Sequence, residues 1–319
     1  MYYIGVDLGG TKLAAGVVDE SGRIIAKASA PTGAHDPESI AANMARVARE
    51  AMREVGISSS DISGIGVGVP GTVDRKTGML EYANNLEMEN VMLADYIRPH
   101  TKVEHIVLVN DANAAAYAEY VLGAGKGCGS MMMITLGTGI GAGIVVDGGL
   151  YEGVNHAAGE LGHTTIKFDG KKCACGRRGC YELYASTSAL IGQAREEMNN
   201  SPKSLMWQVC EGDESNMDGK RFFDAVRMGD ASARRVLDTY IDYVAVGVLD
   251  VVNVMQPELI CIGGGISREH ELLIAPLRER VTAENYSKLS KVGTRIEPAR
   301  LGNDAGIIGA ALLAKKYAG

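Results

Sequence analysis

One arrangement occurs twice in this chain and narrows its fold more than any other feature. Tyr2–Leu8 is an apolar run that passes through Asp7-Leu8-Gly9-Gly10-Thr11-Lys12 and resumes as Leu13–Asp19. A further run, Arg23–Ser29, follows the turn Glu20-Ser21-Gly22. Ser130–Leu136 then meets Gly137-Thr138-Gly139 and resumes as Ile140–Val146, ending at Asp147-Gly148-Gly149. Short apolar runs bounded by glycine turns read as strands. A strand–turn–strand unit that restarts after roughly 130 residues is far too long for a solenoid period, and it fits two related α/β lobes. The join is expected near Gly123–Gly129.

Between these units, Pro37–Val55 carries Ile40, Met44, Val47, Ala51 and Val55 at helical spacing, with Gly56 as the stop. Ile62–Val69 is a strand closed by Pro70-Gly71, and Val103–Val109 is a strand followed by an alanine-rich helix from about Ala112 to Leu122. Helices fill most of Tyr181–Met255, broken near Ser201 and Glu211–Gly219. Glu258–Ile262 is a strand that meets Gly263-Gly264-Gly265, and a last helix covers Asp304–Tyr317. No element is assigned between residues 72 and 102.

Composition excludes several classes. Hydrophobic residues make up 46% and charged residues 22%, which rules out disorder, and 41 Gly against 8 Pro without a repeat rules out collagen. Lys and Arg total 32 against 39 Asp and Glu, and no basic tract stands out, which argues against a nucleic-acid partner. The N-terminus has no basic segment followed by an apolar one, and no apolar run reaches the ~20 residues of a membrane span. A cytoplasmic location is therefore expected. There, the six Cys are thiols or metal ligands and not disulfides.

The glycine loops point to anion binding. In Asp7-Leu8-Gly9-Gly10-Thr11-Lys12 the backbone can approach phosphate closely, with amide N–H groups and the Thr11 hydroxyl as donors. An aspartate at the strand end can hold Mg²⁺ through water. A plain hairpin turn is the alternative. Thr135–Gly143 is the counterpart, and a strand follows its glycines, so it is not a Rossmann fingerprint; neither loop fits a Walker P-loop. Gly263-Gly264-Gly265 could pass close to adenine or phosphate, or could simply be a tight strand-to-helix connection. Asn110-Asp111 sits at a strand end, so Asp111 is either a general base or a helix N-cap.

The most specific local pattern is Glu160-Leu161-Gly162-His163, nine residues, then Cys173-Ala174-Cys175-Gly176-Arg177-Arg178-Gly179-Cys180-Tyr181-Glu182. One His and three Cys form the ligand set of a closed structural zinc site. Cys173 and Cys175 have one residue between them, which disfavours a redox dithiol. Cys128, Cys210 and Cys261 are expected as buried thiols, and Met131-Met132-Met133 as core. Glu160 and Glu182 flank the Cys cluster and can project acceptors.

In this order, Asp7–Lys12, Val67-Gly68-Val69-Pro70-Gly71, Asn110-Asp111, the Thr138–Gly143 loop and the His163/Cys173/Cys175/Cys180 cluster resemble the ROK family of bacterial sugar kinases, most like its glucokinases. The resemblance covers essentially the whole chain. It implies an α/β, actin/hexokinase-like (ribonuclease H-like) fold of two lobes with ATP and sugar in the cleft between them. The first lobe would take 1–122 plus 304–319, with the final helix returning to it, and the second 123–303. The implied reaction is ATP-dependent phosphorylation of the 6-hydroxyl of glucose. Asp111 then matches the base. Gly71, Asn85, Asn110, Glu160, His163 and Glu182 match hexose contacts. Asp7, Gly9, Gly10, Thr11, Lys12, Gly137, Thr138 and Gly139 serve ATP with Mg²⁺, with Gly264 and Gly265 near adenosine. Zn²⁺ would be held by His163, Cys173, Cys175 and Cys180. Homodimers or homotetramers are implied.

Met88 stands where the family's glucokinases often have an aromatic residue. N-acetylmannosamine kinases and other hexose kinases share nearly all of these motifs, so they are the alternative substrate classes, and polyphosphate is the alternative donor. The family also contains sugar-sensing repressors with a helix-turn-helix ahead of the kinase-like part. The first glycine loop begins at residue 7, so an enzyme is expected. An actin-like filament protein would give no reason for the Cys cluster.

Overall fold

The computed structural model describes residues 1–318; Gly319, the last residue of the span expected for the first lobe, lies outside the described residues. The described chain forms two compact units. One comprises 1–129, 143–159 and the segment from Arg300 onward; the other comprises 130–142 and 160–299.

The first unit holds β1 (Tyr2–Leu8), β2 (Lys12–Asp19), β3 (Ile24–Pro31), α1 (Pro37–Glu54), β4 (Ile62–Val69), β5 (Thr72–Asp74), β6 (Met79–Ala83), β7 (Met88–Val91), α2 (Leu93–Thr101), β8 (Ile106–Asn110) and α3 (Asp111–Val121). Its main sheet has the order β3-β2-β1-β4-β8. β1 is antiparallel to β2 and parallel to β4, and β4 is parallel to β8. The first expected runs thus form strands within one or two residues of their expected ends. The region left unassigned holds a separate three-stranded sheet, β5-β6-β7, and α2. These strands are three to five residues long, too short for periodicity to separate them from loop.

Side chains alternate across β1 because the strand period is two. Ile4, Val6 and Leu8 enter a core shared with Ile40, Met44, Val47 and Ala51 of α1. Pro37 sits in the first turn of α1, and Asp36 caps it by accepting from Ser39 N–H. Burying each large apolar side chain of that stripe is worth about 1.5–3 kcal/mol. Tyr3 faces the opposite side and packs on Ile307 and Ala311 of the C-terminal helix.

The second unit opens with β9 (Ser130–Leu136) and the start of β10 (Ile140–Val146), whose end, with β11 (Gly149–Leu150), belongs to the first unit. It continues through α4 (Glu182–Ala185), α5 (Thr187–Asn200), α6 (Met206–Val209), α7 (Gly219–Arg227), α8 (Ala231–Met255), β12 (Leu259–Gly263), α9 (Ala275–Glu284) and β13 (Arg295–Pro298). The chain then re-enters the first unit as α10 (Ala305–Tyr317). The sheet order is β11-β10-β9-β12-β13, with β9, β12 and β13 parallel. Tyr181 and Tyr240 are fully buried, and their hydroxyls donate to the Val244 and Ala185 carbonyls at 2.8 Å each. Cys128, Cys210, Cys261 and Met131–Met133 are buried, as expected.

α10 lies against β1, β4 and α3 at backbone distance. A Cβ at Gly309 would overlap the Ala114 carbonyl, and one at Gly66 would overlap the Ala310 carbonyl. Among the described residues no helix is long and apolar enough to cross a membrane.

Candidate active site and metal centre

In the first unit, the parallel strands bring distant residues to one sheet edge. Asp7 lies beside Gly68, and Gly68 beside Val109, so Asp7 and the Asn110-Asp111 pair sit at the carboxyl ends of β1 and β8 with β4 between. Two strand spacings put them about 10 Å apart. Carboxyl ends of parallel strands are where α/β folds build their sites.

Asp111 begins α3, and the cap of that helix is Asn110, whose Oδ1 accepts from Asn113 N–H at 3.1 Å. The capping alternative for Asp111 is therefore corrected: the neighbour does that work. The Asp111 carboxylate accepts from Ala112 N–H at 2.8 Å. Asn110 Nδ2 donates to the Gly71 carbonyl at 3.1 Å. Gly71 has a φ of +123° and its missing Cβ faces the Tyr82 carbonyl, so no other residue fits there without strain. Gly10 lies against Asn85: a Cβ on it would stand 3.1 Å from the Asn85 carbonyl oxygen.

The first glycine loop closes through Gly9 N–H to the Lys12 carbonyl at 2.9 Å. Thr32, which the sequence did not single out, supports it. Its hydroxyl donates to the Gly9 carbonyl at 2.6 Å and its N–H to the Thr11 carbonyl at 3.0 Å. Thr11 and Lys12 are exposed. Burial raises the Asp7 carboxyl above its ordinary range, with Lys12 opposing. Its neighbour is Gly306 in the first turn of α10, where a Cβ would come within 2.9 Å of the carboxyl carbon. A half-buried carboxylate at a strand end fits a hydrated Mg²⁺, whose charge would offset the cost of its desolvation.

In the second unit, Gly137 N–H donates to the Gly139 carbonyl at 3.0 Å, and the Thr187 hydroxyl donates to the Leu136 carbonyl at 2.9 Å. A Cβ at Gly139 would stand 2.7 Å from Glu182 Oε2, so this loop and Glu182 are neighbours. Gly264 is beside the end of β9, with φ at +96° and its missing Cβ facing the Leu136 carbonyl. The chain beyond it makes a 3₁₀ turn and one turn of π-helix before α9. The strand-to-helix connection is thus longer than expected.

His163 ends a 3₁₀ turn that starts after the exposed Glu160, and the four sequence-matched metal ligands come together there. All their ligand atoms lie within 4.8 Å of one another. His163 Nδ1 is 3.8 Å from Cys173 Sγ, and Cys175 Sγ is 3.6 Å from Cys180 Sγ. A tetrahedron of Zn–S bonds of about 2.3 Å sets sulfurs about 3.8 Å apart, so the donor set and spacing fit zinc. Cys173, Cys180 and Tyr181 are buried, whereas Cys175 is exposed. Burial pushes the Cys173 thiol up to about 12, while the backbone N–H of Arg177 pulls Cys175 below the usual thiol range. Glu182 Oε1 lies 3.5 Å from His163 Nδ1.

The comparisons with known proteins agree with one another. A sequence model of the ROK family matches residues 3–317. The chain belongs to the ROK family. Its glucokinase relative from Thermotoga maritima is 37% identical over 318 residues, covering 99% of this chain and 98% of that protein. The crystal structure of a ROK family glucokinase from Streptomyces griseus in complex with glucose and AMPPNP is 34% identical, with a TM-score of 0.87 over 99% of this chain and 100% of that one. The xylose repressor of Bacillus subtilis is 28% identical, and the match covers 97% of this chain but 75% of the repressor. The fold is the mixed α/β, actin/hexokinase-like fold of the ROK kinases.

Proposed function

We propose that this ROK protein is an ATP-dependent glucokinase that transfers the γ-phosphoryl group of ATP to the 6-hydroxyl of glucose. The observation that carries the reading is the sheet edge that sets Asp7 and Asp111 at the carboxyl ends of β1 and β8, either side of β4, with Asn110 doing the capping. The glucokinase relatives support it.

Phosphoryl transfer passes through a loose transition state, so positioning and charge stabilisation dominate its catalysis. Asp111 accepts the proton of the 6-hydroxyl as that oxygen bonds phosphorus, and it directs the oxygen's lone pair beforehand. Asn85, Asn110 and the Gly71 backbone bind sugar hydroxyls, as do Glu160, His163 and Glu182. The amides of Gly10 and Gly139, with Thr11, Lys12 and Thr138, receive phosphate oxygens, while Gly9 and Gly137 hold the turns that present them, and Gly264-Gly265 takes the adenosine. Asp7 would hold Mg²⁺, which supplies neutralising charge to the phosphate oxygens. His163 would ligate zinc through Nδ1, which fixes its tautomer and leaves Nε2 for a sugar hydroxyl. With four protein ligands such a site is closed, so the metal's part is structural. In this reading the chain takes no nucleic acid, works in the cytoplasm and assembles as a homodimer or homotetramer, as the family resemblance implies.

The test is a coupled ADP assay of purified protein with glucose, N-acetylmannosamine and a panel of other hexoses, using ATP and then polyphosphate as donor. Glucose with ATP should give the highest kcat/KM. Preference for N-acetylmannosamine would move the protein to the alternative substrate class, and no turnover with any hexose would sink the reading.

A further inference from the structure

We infer that Glu119 is a positioning residue for this phosphoryl transfer, an inference that rests on the function proposed above. Glu119 lies in α3, eight residues after Asp111, and its side chain is fully buried. Its Oε1 accepts from the backbone N–H groups of Arg300 and Leu301 at 2.8 and 2.7 Å. Its Oε2 accepts from Ala124 N–H at 2.9 Å. The Glu119 carbonyl adds the N–H groups of Gly123 and Gly125, at 3.0 and 2.9 Å. One residue thus gathers five amides from two chain segments more than 170 residues apart in sequence.

A carboxylate this deep is costly unless hydrogen-bonded, and backbone amides satisfy it without a counter-ion. The arrangement does more than satisfy a charge. Residues 123–125 follow the C-cap of α3, Leu122, and 300–301 lead into α10 through the 3₁₀ turn Gly302–Asp304. Glu119 therefore fastens the C-terminal end of α3 to the entry of α10. The N-terminal end of α3 is Asp111, and the first turn of α10 holds Gly306 against Asp7. The clamp fixes, within one unit, the helix that presents the base relative to the helix that backs the Asp7 carboxylate. Misplacement by 1 Å far from the chemistry can cost about 100-fold in rate.

Glu119→Gln tests this. It keeps the side chain's shape but turns one acceptor into an NH₂ donor that faces a backbone N–H whichever way the amide lies. The expected result is a folded protein whose amides at 124, 300 and 301 lose hydrogen-exchange protection. Its kcat should fall about 10- to 100-fold while KM for glucose stays within about threefold. A stability control, Val47→Ala in α1, should lower Tm comparably and leave kcat unchanged. Should Glu119→Gln fail to fold, Glu119→Asp, which retains the charge but is too short to reach both segments, carries the same measurements. A folded variant with kcat within about threefold of the parent, or an equal kcat loss in Val47→Ala, would overturn the inference. Inactivity of the parent toward every hexose is a failure of the function itself, read on the unmutated protein alone.

Discussion

The Asn110 side chain reaches the backbone of Gly71, donating Nδ2–H to its carbonyl at 3.1 Å, while the same side chain's Oδ1 caps α3. One amide group therefore holds the strand end, the β4–β5 turn and the helix start in place, so the capping of α3 falls to Asn110 and not to Asp111. The consequences for the site can be measured.

Asp111→Asn should retain fold and Tm, because the cap belongs to Asn110. Sugar affinity should also hold, since asparagine still hydrogen-bonds. The loss should fall on kcat, about 10²–10⁴-fold, the usual worth of a general base. Steady-state kinetics beside calorimetric glucose binding separate the two. A kcat within a few-fold of the parent would remove Asp111 from the chemistry.

Metal content is the second measurement. Elemental analysis of freshly purified protein should give about one zinc per chain, matching the one four-residue His/Cys cluster among the described residues. Cys175→Ala removes the exposed ligand and should lose the zinc, raise KM for glucose strongly and leave ATP affinity nearly unchanged. Zinc-free protein with full activity would contradict the site, as would a variant that loses ATP affinity instead.

Asp7 gives a pH-dependent prediction. Burial raises its carboxyl, so the folded state favours the neutral acid. That contribution is fully present below the ordinary carboxylate range near 4 and is lost as pH rises through the raised value. Asp7→Asn cannot ionise. Without added Mg²⁺ it should melt higher than the parent at pH 7, and the gap should close as pH falls toward about 4, while activity is lost. An equal or lower Tm at pH 7 would show that the half-buried charge is already compensated.

The repressor relatives supply the last test. The net charge of −7 predicts no specific operator binding. Anisotropy titrations with sugar-operon promoter DNA at physiological salt should show none. Saturable binding at nanomolar protein, released by sugar, would favour a regulator.

By itself the sequence determined what short-range rules control. Short apolar runs bounded by glycine turns marked β1, β2, β4, β9 and β10, because a strand buried on both faces is apolar throughout and must end at a turn. The 3.6-residue period marked α1 in the same way. The Cys cluster was legible because three of its ligands fall within eight positions of one loop. The tertiary structure alone decided the rest. Strand register sets Asp7 beside Gly68 and Gly68 beside Val109, so carboxylates about a hundred residues apart share one sheet edge. The choice of Asn110 over Asp111 as helix cap depended on one backbone geometry, and either residue type caps well. Glu119 carried no local signal at all: its acceptors are satisfied by amides brought back from residues 300 and 301. Periodicity and turn chemistry act over a few residues, whereas register and close helix approach come from packing between segments distant in the chain.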